Sequence, residues 1–229
     1  MVHRMAIERD LGKPIHQTNW PLPIRKPRSG RYVDLEILSE KHLADLWPFA
    51  VAAPESFAYL RYGPFADIEE LRSTITDLSL RADQPFWVVI PKGQKAQGWL
   101  SICDVYNKEG SIEIGSIWFS PALQGTRSAR EAIFLLMCHA MDDLGYERLV
   151  WRCLAQNEKS FKAAENLGFT YEGTWRRAAV VNGWQSDVAW FSMLKDEWSH
   201  RKAALAQWLS PENFDATGQQ IRRLGTLTG

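Results

Sequence analysis

SPALQGTRSAREAIFLL, residues 120–136, decides how the rest of the chain reads. It follows an apolar, strand-like run that ends at Trp118 and Phe119, and it opens a strongly periodic helical pattern. The turn between them holds a Gln, a Gly, small hydroxyl residues and two arginines. Ser128-x-x-Glu131 has the spacing of a capping box, in which hydroxyl and carboxylate satisfy orphan N–H groups. That accounts for two residues only. A small, polar, cationic turn at a helix N-terminus also leaves backbone N–H groups and the positive end of the helix dipole free for a phosphate. At this level, capping and phosphate binding both stand.

Upstream, "RYVDLEIL" (31–38) alternates as a strand, and a helix opens at Ser39. "DIEELRSTITDLSLRA" (67–82) is a second helix, and the aromatic, Pro-broken segment between them predicts a loop or short helix over a cleft. Strands follow at 85–90, 98–106 and 111–119. Gly115 lies inside the last of these and predicts a bulge or the close approach of another group. The long helix places Ile133, Leu136, Met137, Ala140, Met141 and Leu144 on one face, and Gly145 stops it. Then come a strand at 147–154, a helix capped by Asn157 and ended by Gly168, a hairpin turning at Asn182-Gly183, and a helix over 196–209. The order β-α-α-β-β-β-α-β-α-β-β-α predicts one mixed α/β (α+β) sheet, mostly antiparallel, in a single domain over 31–209. Residues 1–30, with four prolines, read as an arm laid on the domain or flexible. Residues 210–229 read as a loose, flexible tail.

Composition removes several function classes. The 229 residues carry 27 basic and 27 acidic side chains, which argues against a general nucleic-acid partner. No run of 18 apolar residues occurs, and no signal-like core follows Met1, so no membrane partner and a cytoplasmic location are expected. Cys103, Cys138 and Cys153 are odd in number and scattered, which fits reduced thiols. No spacing suggests a metal site. Eleven Trp residues serve as core and arm anchors or line a cleft.

Three stretches taken in order resemble the GCN5-related N-acetyltransferase superfamily, and most of all the branch that includes the ribosomal-protein N-terminal acetyltransferases. The first is the turn Gln124-Gly125-Thr126-Arg127-Ser128-Ala129, followed by Glu131-Ala132; Gln124 and Ala129 match the family loop, while Arg127 stands where Gly is usual. The second is "NEKSFKAAENLGF" from Asn157, and the third is the closing hairpin and helix from Glu172 to Trp198. The resemblance covers roughly residues 31–209. It implies a sheet with two splayed central strands (111–119 and 147–154), helices on both faces, and acetyl-CoA as co-substrate with no metal. It implies pantetheine pairing with backbone near Ile117, Trp118 and Phe119. It also implies the diphosphate on the amides of Gln124, Gly125, Thr126, Arg127, Ser128 and Ala129, and Asn157 holding the pantetheine end.

The implied activity is direct acetyl transfer to a primary amine of a small molecule or a peptide N-terminus. A protonated amine must lose its proton to attack. Glu113 is the candidate general base, with Asp104 on the neighbouring strand as the alternative. Many family members protonate the departing thiolate with a Tyr; that position is Ala164 here, and Ser160 is the remaining candidate donor. Arg176, Arg177 and Asp187 lie on the hairpin, where the arginines bind an acidic acceptor or form a surface pair with Asp187. The missing Tyr leaves a non-catalytic acyl-CoA-binding module as the alternative function. Oligomeric state, a homodimer included, stays open.

Overall fold

A computed structural model describes residue 12 and residues 14–227. Its centre is an eight-stranded sheet ordered β1-β2-β3-β4-β5-β6-β8-β7. The strands are β1 (Arg28–Ser29), β2 (Val33–Ile37), β3 (Phe86–Pro91), β4 (Gly98–Tyr106), β5 (Ser111–Phe119), β6 (Arg148–Leu154), β7 (Thr170–Val181) and β8 (Trp184–Leu194). All neighbours run antiparallel except β5 and β6. That parallel pair holds for only three positions, Ser111 with Arg148, Ile112 with Leu149 and Glu113 with Val150. Beyond Glu113 the two strands splay, as expected for strands 111–119 and 147–154.

Two apolar cores lie on opposite faces of the sheet. Helices α1 (Leu43–Ala52) and α2 (Ile68–Leu80) cover one face with Leu46, Leu71, Ile75 and Leu78 against Val88, Trp99 and Trp118. Asp67 caps α2 by accepting from the N–H groups of Glu69 and Glu70. On the other face lie α3 (Arg127–Cys138), α4 (Glu158–Asn166) and α5 (Lys195–Leu209). The α3 path continues as one π turn over His139–Asp143 and stops at Gly145, whose φ of +70° suits glycine. The mixed fold and the helices on both faces are those the sequence predicts.

The described part of the arm is laid on the domain. Trp20 is 2% exposed, and its Nε1 donates to Gly145 O at 2.8 Å. Further along, Trp87 Nε1 donates to Lys26 O at 2.9 Å. Expectations for residues 1–11 and 13 fall outside the described residues. The tail differs from the loose segment expected through residue 227. Asn213 Nδ2 donates to the carbonyls of Trp208 and Arg222, and Leu224 is 2% exposed against α4 and α5. The tail shows no periodicity because short side-chain brackets hold it, not a regular element. Residues 228 and 229 again lie outside the described part.

Candidate active site

The turn before α3 is built differently from the capping box expected of it. Thr126 is the N-cap, and its Oγ1 accepts from Ala129 N–H at 3.1 Å. Ser128 Oγ instead donates to Tyr32 O at 3.0 Å. Glu131 turns away from its own helix and accepts from the N–H groups of Arg31, Tyr32 and Val33 at 2.9, 2.6 and 3.0 Å. A side-chain carboxylate thereby ties the first turns of α3 to the start of β2. A Cβ on Gly30 would lie 2.4 Å from the Glu131 Cδ, so that approach requires glycine.

This arrangement divides the six amides of the turn. Gln124 N–H donates to Ser120 O, Thr126 N–H to Leu123 O, and Ala129 N–H to Thr126 Oγ1. The amides of Gly125, Arg127 and Ser128 have no protein partner among the described residues. Gly125 adopts φ +76° in open space, so its glycine serves the backbone turn. Arg127 does not obstruct the turn. Its guanidinium swings out over the Tyr32 and Phe214 rings, 4.8 and 4.3 Å from their centroids.

Across the splay, Glu113 is 6% exposed on β5. Its carboxylate meets Arg152 Nε, while Arg152 Nη2 meets Asp104. Arg152 also lies over the Trp190 ring at 4.7 Å. Thus both candidate bases converge on one guanidinium that sequence reasoning missed. Only the parallel register brings it there, with no signal in the sequence: Glu113 pairs with Val150, so Arg152 sits two residues further along β6 on the same face. Burial pushes the Glu113 carboxyl up, to about 8, and hydrogen bonding with Cys103 opposes it. The Arg152 guanidinium beside it favours the charged form and works against that burial.

Gly115 answers both expectations made of it. A Cβ there would lie 2.8 Å from Cys103 Sγ and 2.9 Å from Glu113 Oε1. The next residue, Ser116, takes φ +50° in a register shift against β4. Tyr62 OH donates to Ser116 O at 3.2 Å, and Gln84 Nε2 donates to its Oγ at 2.9 Å. The aromatic segment between α1 and α2 therefore pins the bulge. The same segment reaches the β7–β8 hairpin, where Arg61 Nη1 donates to Val180 O at 3.2 Å.

Past the bulge, Trp118 and Phe119 pair with Trp99 and Gly98 of β4, and no strand pairs with β5 on the β6 side. The Trp118 side chain is buried among Phe57 and Trp99, so only its backbone faces the gap. Ile117 lies in the same unpaired stretch. On the facing turn, Asn157 caps α4, with Oδ1 accepting from Ser160 N–H at 3.2 Å. Ser160 Oγ accepts from Trp151 Nε1 at 3.1 Å, and its own hydroxyl proton is directed at a sulfur, that of Cys153. The surface pair weighed for Asp187 is absent among the described residues. Asp187 instead accepts from the Arg177 backbone N–H at 2.7 Å, where φ of +51° marks a hairpin bulge.

Among the described residues, no group of three or more His, Cys, Asp or Glu side chains is placed to hold a metal. No helix there is long and apolar enough to cross a membrane.

Known proteins resemble this chain in sequence and fold. The family described as "Acetyltransferase (GNAT) domain" matches residues 34–170. A GCN5-related N-acetyltransferase from Brucella melitensis is 39% identical with a TM-score of 0.90, covering 93% of this chain and 98% of that one. The Bacillus subtilis protein named "Putative ribosomal N-acetyltransferase YdaF" is 30% identical over 105 residues, 46% of this chain and 57% of that protein. The chain thus matches little more than half the length of that relative. The Bacillus licheniformis "Uncharacterized N-acetyltransferase p20" is 27% identical over 155 residues, 64% of this chain and 84% of that protein.

Proposed function

The chain belongs to the GNAT acetyltransferase family, and from that premise we propose that it transfers an acetyl group from acetyl-CoA directly to a primary amine of a small molecule or a peptide N-terminus. One observation carries the reading: free amides at Gly125, Arg127 and Ser128 stand at the end of the same splayed strand that holds buried Glu113. The diphosphate sits on those amides, where the α3 dipole adds to their attraction. The pantetheine arm descends between β5 and β6 and uses backbone of Ile117, Trp118 and Phe119 that no strand has claimed. Asn157 supports that arm through its Nδ2, since its Oδ1 is occupied by the α4 cap.

The thioester carbon then lies beside Gly115. Glu113 accepts the proton that the amine must lose, directly or through one water. Arg152 aims the carboxylate and favours its charged form, while burial makes it basic enough to accept the proton. The nitrogen attacks, the C–S bond breaks, and the Ser160 hydroxyl hydrogen-bonds the departing thiolate, which takes up a proton. Asp104 is half exposed and shares Arg152, so it acts through that guanidinium. The cytoplasm is the proposed location; the unpaired Cys103, Cys138 and Cys153 support it.

Incubation with acetyl-CoA and an amine panel, following free thiol, tests the reading. Amine-dependent thiol release is expected, reduced roughly 10²–10⁴-fold in Glu113→Gln with CoA affinity retained. Tight CoA binding with no turnover on any amine would make the protein a binding module, and no CoA binding at millimolar ligand would refute both.

A further inference from the structure

Beside the free amides lies a second feature, built partly by residues that lie beyond the family domain at 34–170. A cavity of about 560 Å³ opens between the first turn of α3 and the tail, lined in part by Gly125, Thr126 and Arg127 and in part by residues 218–221 and Arg223. Its size is that of a small-molecule site. Three arginines border it, Arg127, Arg130 and Arg223. None has a carboxylate partner among the described residues, although the chain carries as many acidic as basic side chains. Arg130 is the most telling. It lies over the Trp208 ring at 5.0 Å, and its Nε is buried without a hydrogen-bond partner. Burial pulls Arg130 below its ordinary value, yet a guanidinium keeps its charge. Stacking on Trp208 and Phe214 fixes the planes of two arginines and leaves their N–H groups unspent.

Three unpaired cations around one cavity call for a multiply charged anion, and planar N–H forks suit phosphate oxygens. The cavity continues from the turn that the proposed function gives to the diphosphate. Resting on that function, we propose that the C-terminal segment 213–223 completes the co-substrate site, and that Arg127, Arg130 and Arg223 bind the 3′-phosphate of the CoA nucleotide. The tail thereby selects CoA over its 3′-dephosphorylated form.

Calorimetric titration of the full chain with CoA and with 3′-dephospho-CoA tests this. Wild type should bind CoA about tenfold or more tightly than the dephosphorylated form. Arg223→Gln, an exposed change in the tail that spares the core, should bring the two affinities to within a factor of about two. Adenosine 3′,5′-bisphosphate should compete with CoA, and AMP should compete far less. Equal wild-type affinity for the two forms, with amine-dependent thiol release intact, overturns the tail's role and leaves the acetyl-transfer reading standing. Discrimination that survives both Arg223→Gln and Arg130→Met overturns it as well. Failure of both forms to bind at millimolar concentration overturns the tail's role together with the function it rests on.

Discussion

Replacing Glu131 by Gln should unsettle this protein far more than loss of an ordinary helix-capping residue. The carboxylate spreads three bonds over two oxygens: Oε2 accepts from Tyr32 and Val33, and Oε1 accepts from Arg31. Gln keeps the shape but turns one terminal atom into a donor. Its oxygen is best placed toward Tyr32 and Val33, which sets its NH₂ against the Arg31 N–H. Two bonds then change from charged to neutral acceptors, each weaker by about 1 kcal/mol, and one donor loses its partner at about 1–3 kcal/mol. Water reaches the Arg31 side, which is half buried, so the lower end applies there. The expected cost is about 3 kcal/mol, a drop in Tm of roughly 6–12 °C for a chain of this length. Urea unfolding at fixed pH measures it. Thr126→Ala, which removes the N-cap, should cost about 1 kcal/mol in the same assay. A Glu131→Gln cost below about 0.5 kcal/mol would show that the link from α3 to β2 contributes little, and that the helix-local capping box describes this residue better.

Arg152→Met should move the acid limb of the pH profile of kcat/KM upward by about 1–3 pH units, because Glu113 loses the cation that opposes its burial. An unmoved limb would mean that Glu113 is not the titrating base. The same variant carries a stability signature whose sign is fixed. A buried carboxyl with its folded pKa raised above the ordinary 4.5 contributes stability fully present below pH 4.5 and lost as pH rises through about 8. Wild type and Arg152→Met should lose stability alike up to about pH 8, and the deficit of the variant should open as pH rises through and above about 8, where only the wild-type carboxyl ionises. Ser160→Ala should lower kcat with little change in CoA affinity, in the manner of an interaction made only as the thiolate leaves. Equal losses in CoA affinity and kcat/KM would make Ser160 a binding residue instead.

The parts legible in the sequence are those whose signal is local. The Asn182-Gly183 turn, the Asn157 cap, the Gly145 stop and the glycine at 115 each act within a few residues of their own position. What escaped the sequence depends on partners far along the chain. Glu131 bonds to amides about a hundred residues away, and a local spacing rule assigned it to its own helix. Arg152 meets Glu113 only because β5 and β6 run parallel in one register, which no periodicity within either strand reveals. The tail has no apolar period, yet Asn213 and Leu224 dock it, and Arg223 reaches the α3 cavity only through that docking. Arg127, an apparent break in the loop pattern, proves compatible with an open turn because its side chain leaves toward Tyr32 and Phe214.

A crystal structure with acetyl-CoA bound probes the account at its centre. Diphosphate oxygens should lie within hydrogen-bond distance, about 2.7–3.2 Å, of the Gly125, Arg127 and Ser128 amides, with the thioester in the β5–β6 splay beside Gly115. Nucleotide bound elsewhere, or those three amides closed by the protein's own groups, would contradict it.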